Sequence, residues 1–370
     1  MAAPFAIIGA GMSGASLAYR LARLGRDVLV IDDARPGRAT GWNPGGINPL
    51  HGPGFPGAME RFYRDAFGLH ESQRQDVGAA PGIDFGWRVV DRLFLARDDA
   101  EADDLRRYVD FYNALDGFSG RWMDAAEIAQ WDSRVDPSWV GGLMTRGNVR
   151  VDAERYRLAL LASAEMMGAK VIPAGLRSIE TRLGRIVAID WGEGRVKVCG
   201  LCMAAGSWAG RDVAGWEPGD VVEVTPLIGD LLLVKSDDRP PAADVSHGLT
   251  AIYQHDRGDF WIGGTSRREG PLGESSDAIE QELLTGARSL MPGWGPPQVI
   301  ARSSAARPST CDGLPVVGRS PSYENGWIIN GLGGKGILLS AWAAQSLIQM
   351  MDAGGDLPEF APVSPSRATG

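Results

Sequence analysis

The stretch that most constrains the fold runs from Phe5 to Asp33. Phe5-Ala-Ile-Ile8 is a short apolar run of the kind that forms a buried strand. Gly9-Ala10-Gly11-Met12-Ser13-Gly14 follows at once. Ala15–Leu24 is helical in composition and Gly25 stops it, before Arg26–Ile31 reads as a second strand ending in Asp32-Asp33. Strand, helix and strand within about thirty residues make a β-α-β unit. The glycines fit G-x-G-x-x-G, and each meets a physical demand. Gly9 permits the tight turn out of the strand, Gly11 lets backbone approach a pyrophosphate, and Gly14 lets the helix pack close to the strand. The helix start offers unpaired N–H groups and a positive dipole end to phosphate. An acid about twenty residues on should accept from ribose hydroxyls. The alternation of the strand selects Asp32, with Asp33 the alternative. A glycine turn in an unrelated sheet has no need of that terminal acid, so the four features together read as a dinucleotide site. They do not separate a nicotinamide from a flavin.

The remaining composition bounds the class. The chain has 370 residues, enough for one large domain or two ordinary ones. A net charge of −9 argues against nucleic acid or an anionic membrane as partner. No apolar run reaches spanning length; Ile337–Met351 is interrupted by Ser340, Gln345, Ser346 and Gln349. The N-terminus lacks the basic segment of a signal peptide, and three cysteines suggest a reducing, cytoplasmic setting. His51, His70, His247 and His255 show no metal-ligand spacing. Cys199-Gly-Leu-Cys202 falls in an expected strand, not at a helix start, which argues against a redox pair. Asp98–Asp104 reads as a solvated helix start.

Along the chain, helices are expected at Met59–Arg74, Ala100–Leu115, Asp152–Gly168, Asp277–Leu290 and Ile337–Met351. Strands are expected at Lys170–Pro173, Ile179–Thr181, Ile186–Trp191, Val196–Ala205 and Trp327–Asn330. Val221–Val234 and Ala251–Gly264 read as antiparallel strands with turns between them. The Pro-, Ser- and Gly-rich tail after Asp352 is expected to fray.

Two other glycine-rich segments stand out. Gly331-Leu-Gly-Gly-Lys-Gly336 opens a second helix late in the chain. A reduced flavin carries negative charge near N1 and the C2 carbonyl. A helix start stabilises that charge without reorganising, and Lys335 would add a full positive charge. A nicotinamide enzyme has no comparable need, which favours FAD. Gly41–Gly57 holds six glycines, four prolines and no charged residue, yet carries Trp42, Ile47, Leu50 and Phe55. Neither a helix nor a central strand accommodates those prolines.

These segments, with Ala204-Ala-Gly-Ser-Trp208, Trp261-Ile-Gly-Gly-Thr265 and Arg307–Pro315, resemble the D-amino-acid oxidase, glycine oxidase and sarcosine oxidase superfamily of FAD-dependent oxidoreductases. The resemblance runs nearly end to end. It implies an α/β fold: a Rossmann-like FAD-binding domain from residues 1–85, 146–218 and 306–370, and a mixed, largely antiparallel α+β substrate domain from 86–145 and 219–305. Cofactor contacts are implied for the Gly9–Gly14 loop and Asp32 or Asp33. After the second strand they are implied for Thr40, Asn43, Gly45 and Gly46, where bare backbone would lie against the flavin. Further contacts are implied for Leu176, Ala205, Gly206 and Trp208, and for Gly333, Gly334, Lys335, Gly336 and Ile337.

The same resemblance places Arg307 on a substrate carboxylate, since its planar fork matches that group, with Tyr253 beside it. Trp42, Trp261 and Trp327 are candidates to line an apolar pocket. Two departures matter. Trp261 stands where sarcosine-type oxidases carry an oxygen-activating lysine, and Ala305 where they carry the cysteine that holds flavin, so FAD is expected to be non-covalent. The implied reaction is oxidation of the C–N bond of a small amino acid or secondary amine, with hydride passing to flavin N5 and an imine leaving. Oxygen or another acceptor would reoxidise the flavin, and an oligomer is possible. Two alternatives remain open. One is a 2-hydroxy-acid dehydrogenase with His51 as base; the other is a non-catalytic flavin-carrying subunit, prompted by Trp261.

Overall fold

In the computed structural model, which describes residues 3–79, 81–209, 213–255, 258–270, 272–273 and 275–368, the opening β-α-β unit lies at the centre of a six-stranded sheet. The order across it is Val316–Arg319, Gly326–Asn330, Gly200–Met203, Phe5–Ile8, Val28–Ile31 and Lys170–Ile172. All neighbours are parallel except the edge pair Val316–Arg319 with Gly326–Asn330. Strands buried on both faces carry continuous apolar sequence, as Phe5–Ile8 and Val28–Ile31 do. The helix Met12–Arg23 packs against Ala153–Met166 and Gly336–Ala353, burying one face of this sheet.

A second sheet has nine strands. Its order is Gln298–Ser309, Thr225–Lys235, Asp259–Gly263, Thr250–Gln254, Asp244–His247, Arg88–Ala96, Gly141–Arg150 and Gly46–Ile47, with Ser119–Asp124 also paired to Gly141–Arg150. Only the Asp244–His247 and Arg88–Ala96 pair is parallel. Asp277–Leu290 covers its outer face. A small third sheet holds Ser178–Arg182, Arg185–Asp190 and Arg195–Lys197.

Helix starts were legible because they are capped. The carboxylates of Asp98 and Asp152 and the hydroxyl of Ser276 accept from backbone N–H groups at the starts of Asp99–Asn113, Ala153–Met166 and Asp277–Leu290. Three expectations need correction. Val196–Ala205 is not one strand: Arg195–Lys197 joins the small sheet and Gly200–Met203 the six-stranded one, with exposed Cys199 between. Trp327 packs in the core of the first sheet, not in a pocket. The tail does not fray. Phe360 packs on Phe62 and Trp342, Val363 is buried, and Arg367 grips the Asp312 carboxylate with Nε at 2.8 Å and Nη2 at 3.0 Å. That pair holds the Asp312 carboxyl down to about 2. The expected boundaries at 145/146 and 305/306 fall inside the single strands Gly141–Arg150 and Gln298–Ser309.

Candidate active site

The two large sheets wall a cavity of about 470 Å³. Ile8, Ile31 and Met203, from the first sheet's central strands, line one side. Arg92, Arg150, Tyr253 and Arg307, from the second sheet, line the other. Ligands commonly bind outside the carboxyl ends of parallel strands, and this cavity includes that position.

The Gly9–Gly14 loop is built as its spacing demands. Gly9 has φ +100°, and a Cβ there would come within 2.6 Å of the Ala204 carbonyl oxygen. A Cβ on Gly14 would stand 1.8 Å from the Gly9 oxygen, so only glycine lets this helix start so near the strand. The Ala10 N–H donates to the Asp32 carboxylate, whose other oxygen accepts from the Ala34 N–H at 2.5 Å. Arg157 Nη1 donates to the Ala10 carbonyl at 3.1 Å, and the Met12 N–H donates to Thr40 Oγ1 at 3.2 Å. Asp33 instead pairs with Arg35, at 2.6 Å. Gly9, Gly11, Met12, Ser13, Asp32, Asp33 and Thr40 all line the cavity, while Gly14 is spent on packing.

The Gly/Pro loop does two jobs. Asn43 Oδ1 accepts from the Gly45 N–H at 2.8 Å, and Gly46-Ile47 pairs with Val149-Arg150. Gly46 faces the cavity, and a Cβ there would meet no atom within 4 Å. Gly45 lies outside the cavity wall. It has φ +78°, and a Cβ would collide with the Val151 carbonyl oxygen at 1.7 Å, so backbone packing requires this glycine. Asn43 and Trp42 line the cavity; Trp261 stands behind Trp42, edge to face at 6.1 Å.

Leu176, Ala205, Gly206 and Trp208 complete the wall near the first sheet, with the Gly206 carbonyl accepting from Asn330 Nδ2 at 3.0 Å. Gly333, Gly334, Lys335, Gly336 and Ile337 bring the start of the late helix to the same cavity. Gly334, like Gly46, presents bare backbone with open space where a Cβ would be. Two glycine-led helix starts therefore line one cavity.

Lys335 lines this space with its amine held at the wall. Its Nζ donates to the Asn48 carbonyl at 3.1 Å and lies over the Tyr63 ring at 5.7 Å. Burial, and then the nearby Arg92, lower its amine to about 7. His51 stacks between Tyr108 at 4.4 Å and Phe94 at 4.7 Å. Its buried Nε2 has no hydrogen-bond partner. Burial, then Lys335 and Arg92, hold this imidazole neutral well below its usual range.

Arg307 lies in the long strand Gln298–Ser309. Its Nη2 donates to the Thr265 carbonyl at 3.2 Å, and burial lowers its pKa despite Tyr253 and the Asp230 carboxylate, which act to raise it. Room for it comes from Gly229 on the adjacent strand, where a Cβ would fall 1.9 Å from Nη2. Arg150 also lines the cavity, but Asp244 neutralises it through a buried bidentate pair, and its Nη1 holds the Gln254 carbonyl at 2.6 Å. Arg92 donates from Nε to Ser246 Oγ at 3.1 Å and from Nη2 to the Tyr253 hydroxyl at 3.4 Å. Arg92, Arg150 and Gly229 were not found from sequence. The first two lie in strands, Arg88–Ala96 and Gly141–Arg150, whose cavity-lining positions mix apolar Val90 and Val149 with polar Arg92, Asn148 and Arg150, so no clean alternation marks them.

A glycine cradle at a helix start, an acid closing the second strand and a second helix start on the same cavity define a flavin-dinucleotide protein. Residues 5–350 match the family described as FAD dependent oxidoreductase (DAO), and the chain belongs to it. Its cofactor is FAD, and the residues around the cavity fit that group through the bare backbone at Gly46 and Gly334 and the Gly9–Gly14 loop. A glycine oxidase of Bacillus licheniformis is 25% identical over 349 residues, covering 93% of this chain and 92% of that protein. The solved structure of glycine oxidase from Geobacillus kaustophilus superposes with a TM-score of 0.89 at 24% identity, covering 100% of this chain and 99% of the other. That of iminodiacetate oxidase from Chelativorans superposes at 0.87 with 22% identity, covering 99% and 100%. Among the described residues no helix is long and apolar enough to cross a membrane.

Proposed function

We propose that this chain oxidises the C–N bond of a small amino acid or secondary amine to an imine. The observation that carries the reading is Arg307. Its guanidinium is ion-paired to no carboxylate among the described residues, lines the cofactor cavity and is given its space by Gly229. A planar fork with unused N–H groups receives a carboxylate in two parallel hydrogen bonds. The glycine oxidases similar to this chain are consistent with that assignment.

When bound, FAD would supply the two-electron acceptor for the substrate's Cα–H, so that the amine would leave as an imine that water hydrolyses. The chain's residues do the rest. Arg307 fixes the carboxylate, and the Tyr253 hydroxyl, in reach of Arg92 Nη2, donates or accepts beside it. Fixing the acid end orients Cα–H, which lowers the entropic part of the barrier. An amine that arrives neutral needs no protein base. The helix start at Gly336, on the same cavity, would stabilise negative charge on a reduced cofactor held there. FAD is held non-covalently: Ala305 lines the cavity, and Cys199, Cys202 and Cys311 do not. Oxygen or another acceptor completes turnover.

The hydroxy-acid reading needs His51 as base. No carboxylate orients its ring among the described residues, and burial beside two cations makes the imidazole a poor proton acceptor. The test of the clamp is Arg307→Ala. The apparent affinity for a carboxylate-bearing substrate should fall by about 100-fold, the cost of losing a charge-assisted bidentate pair. Unchanged affinity would remove Arg307 from the mechanism.

A further inference from the structure

Arg307 answers one carboxylate, yet the cavity holds more positive charge than one carboxylate balances. Arg92 and Lys335 also line it, and neither is ion-paired to a carboxylate among the described residues. The contrast with their neighbours is sharp. Arg150 is matched by Asp244, and Arg267 by Asp230, each through two hydrogen bonds. Here the fold neutralises arginines where it has no use for the charge and leaves Arg92 open.

Arg92 is also held in place. Ser246 Oγ takes its Nε–H, the Tyr253 hydroxyl takes one Nη2–H, and the guanidinium lies over the Phe94 ring at 4.3 Å and near the Tyr253 ring at 5.2 Å. Its Nη1 donates to no protein atom among the described residues. The Tyr253 hydroxyl accepts from Arg92, and Arg92, Tyr253 and Arg307 all line the one cavity. Lys335 adds its amine on the Arg92 side. Cations kept partly desolvated without a protein partner are retained when a ligand supplies the anion. In the oxidised state that receives substrate the cofactor does not supply it: the pyrophosphate belongs to the Gly9–Gly14 helix start, and an oxidised flavin ring is uncharged.

Resting on the amine-oxidation reading above, we infer that the substrate carries two carboxylates, one on Arg307 and the second on Arg92 with Lys335 beside it. The class is a small amino- or imino-dicarboxylate whose nitrogen-bearing carbon lies between the two clamps. A monocarboxylic amine fills one clamp and leaves the other cation buried and unmatched, which disfavours it.

The test uses the FAD-loaded protein, wild type and Arg92→Met, with Arg92→Lys as the charge-keeping control. Anaerobic flavin reduction is measured with iminodiacetate and both enantiomers of aspartate and glutamate, against glycine, sarcosine and both enantiomers of alanine. Non-reactive malonate and succinate are titrated against acetate and propionate by the perturbation of flavin absorbance. The wild type should reduce its best dicarboxylate with a second-order rate constant about 100-fold above its best monocarboxylate. Malonate or succinate should bind more tightly than acetate or propionate by a similar factor. Arg92→Met should lose about tenfold more on dicarboxylates than on monocarboxylates, with partial recovery in Arg92→Lys. Equal reduction by both classes overturns the second clamp while leaving amine oxidation standing, as does an equal loss on both in Arg92→Met. If no amine reduces the flavin, amine oxidation fails. The malonate and acetate comparison still decides the second clamp: equal binding overturns it, and a preference for malonate lost in Arg92→Met supports it.

Discussion

At the residue scale, space decides as much as charge. Gly229 has no functional group, yet Arg307 sits where a Cβ on residue 229 would be. Gly229→Ala should raise KM for the substrate by about tenfold or more through displacement of the guanidinium, with FAD content unchanged, because the cost falls on the clamp and not on the cradle. Steady-state kinetics beside the flavin-to-protein absorbance ratio check this; an unchanged KM would mean the guanidinium does not hold substrate. Lys335 carries a pH dependence. His51, Tyr63 and Arg92 face it, and none is an anion at neutral pH; burial, and then Arg92, lower its amine to about 7. A bound anion favours the protonated form and raises that pKa. Affinity for an anionic ligand is therefore full below pH about 7 and falls with rising pH, by up to about tenfold per unit until the bound-state pKa is reached. His51 stays neutral and adds nothing to this step. In Lys335→Met the decline should vanish; a wild-type affinity flat from neutral to alkaline pH would contradict the assignment. The glycine loop and the place of Arg307 on the cavity were legible because their spacing is local or matches a family pattern. Gly229 and Arg92 were not, because their meaning depends on strands far away in sequence.

At the element scale, the second sheet is held open around its polar residues by one buried pair. Arg150 and Asp244 are 5% and 1% exposed, and their bidentate contact ties Gly141–Arg150 to Asp244–His247. Asp244 Oδ1 also accepts from the Gln254 N–H at 2.9 Å, which fixes the strand carrying Tyr253. Asp244→Asn leaves a buried guanidinium with half its partner and should destabilise the fold by about 3–5 kcal/mol. Calorimetry on the apoprotein checks this, and a melting temperature within a degree or so of wild type would show that the pair is dispensable. The same sheet explains what the sequence concealed. Gln298–Ser309 runs twelve residues with a register shift opposite Leu233/Val234, and its burial follows the cavity more than a simple alternation. Arg88–Ala96 places Val90 and Arg92 on the cavity side and Leu93 and Leu95 in the core. A cavity face that mixes apolar Val90 with Arg92 blurs the period-two signal that marks a half-buried strand. Helices suffered less, since their caps are local.

At the scale of the whole molecule, a cavity is assembled from chain segments far apart in sequence. Residues 9–14 and 333–337 bring two helix starts to it, and residues 42–51 cross from one sheet to the other along its wall. The tail closes over the first sheet through the Arg367–Asp312 pair and the backbone bond from Val222 to Pro365. The cavity thus joins the two glycine-led helix starts to a sheet wall that carries Arg92, Arg150 and Arg307. The most direct measurement is a single anaerobic turnover of the FAD-loaded protein with amino- and imino-acids and with 2-hydroxy acids, counting released ammonia or amine against flavin reduced. The account predicts reduction by an amine with one nitrogen released per flavin, and no reduction by the hydroxy acids. Reduction by a hydroxy acid with no nitrogen released, or a flavin that no amine reduces, would contradict it.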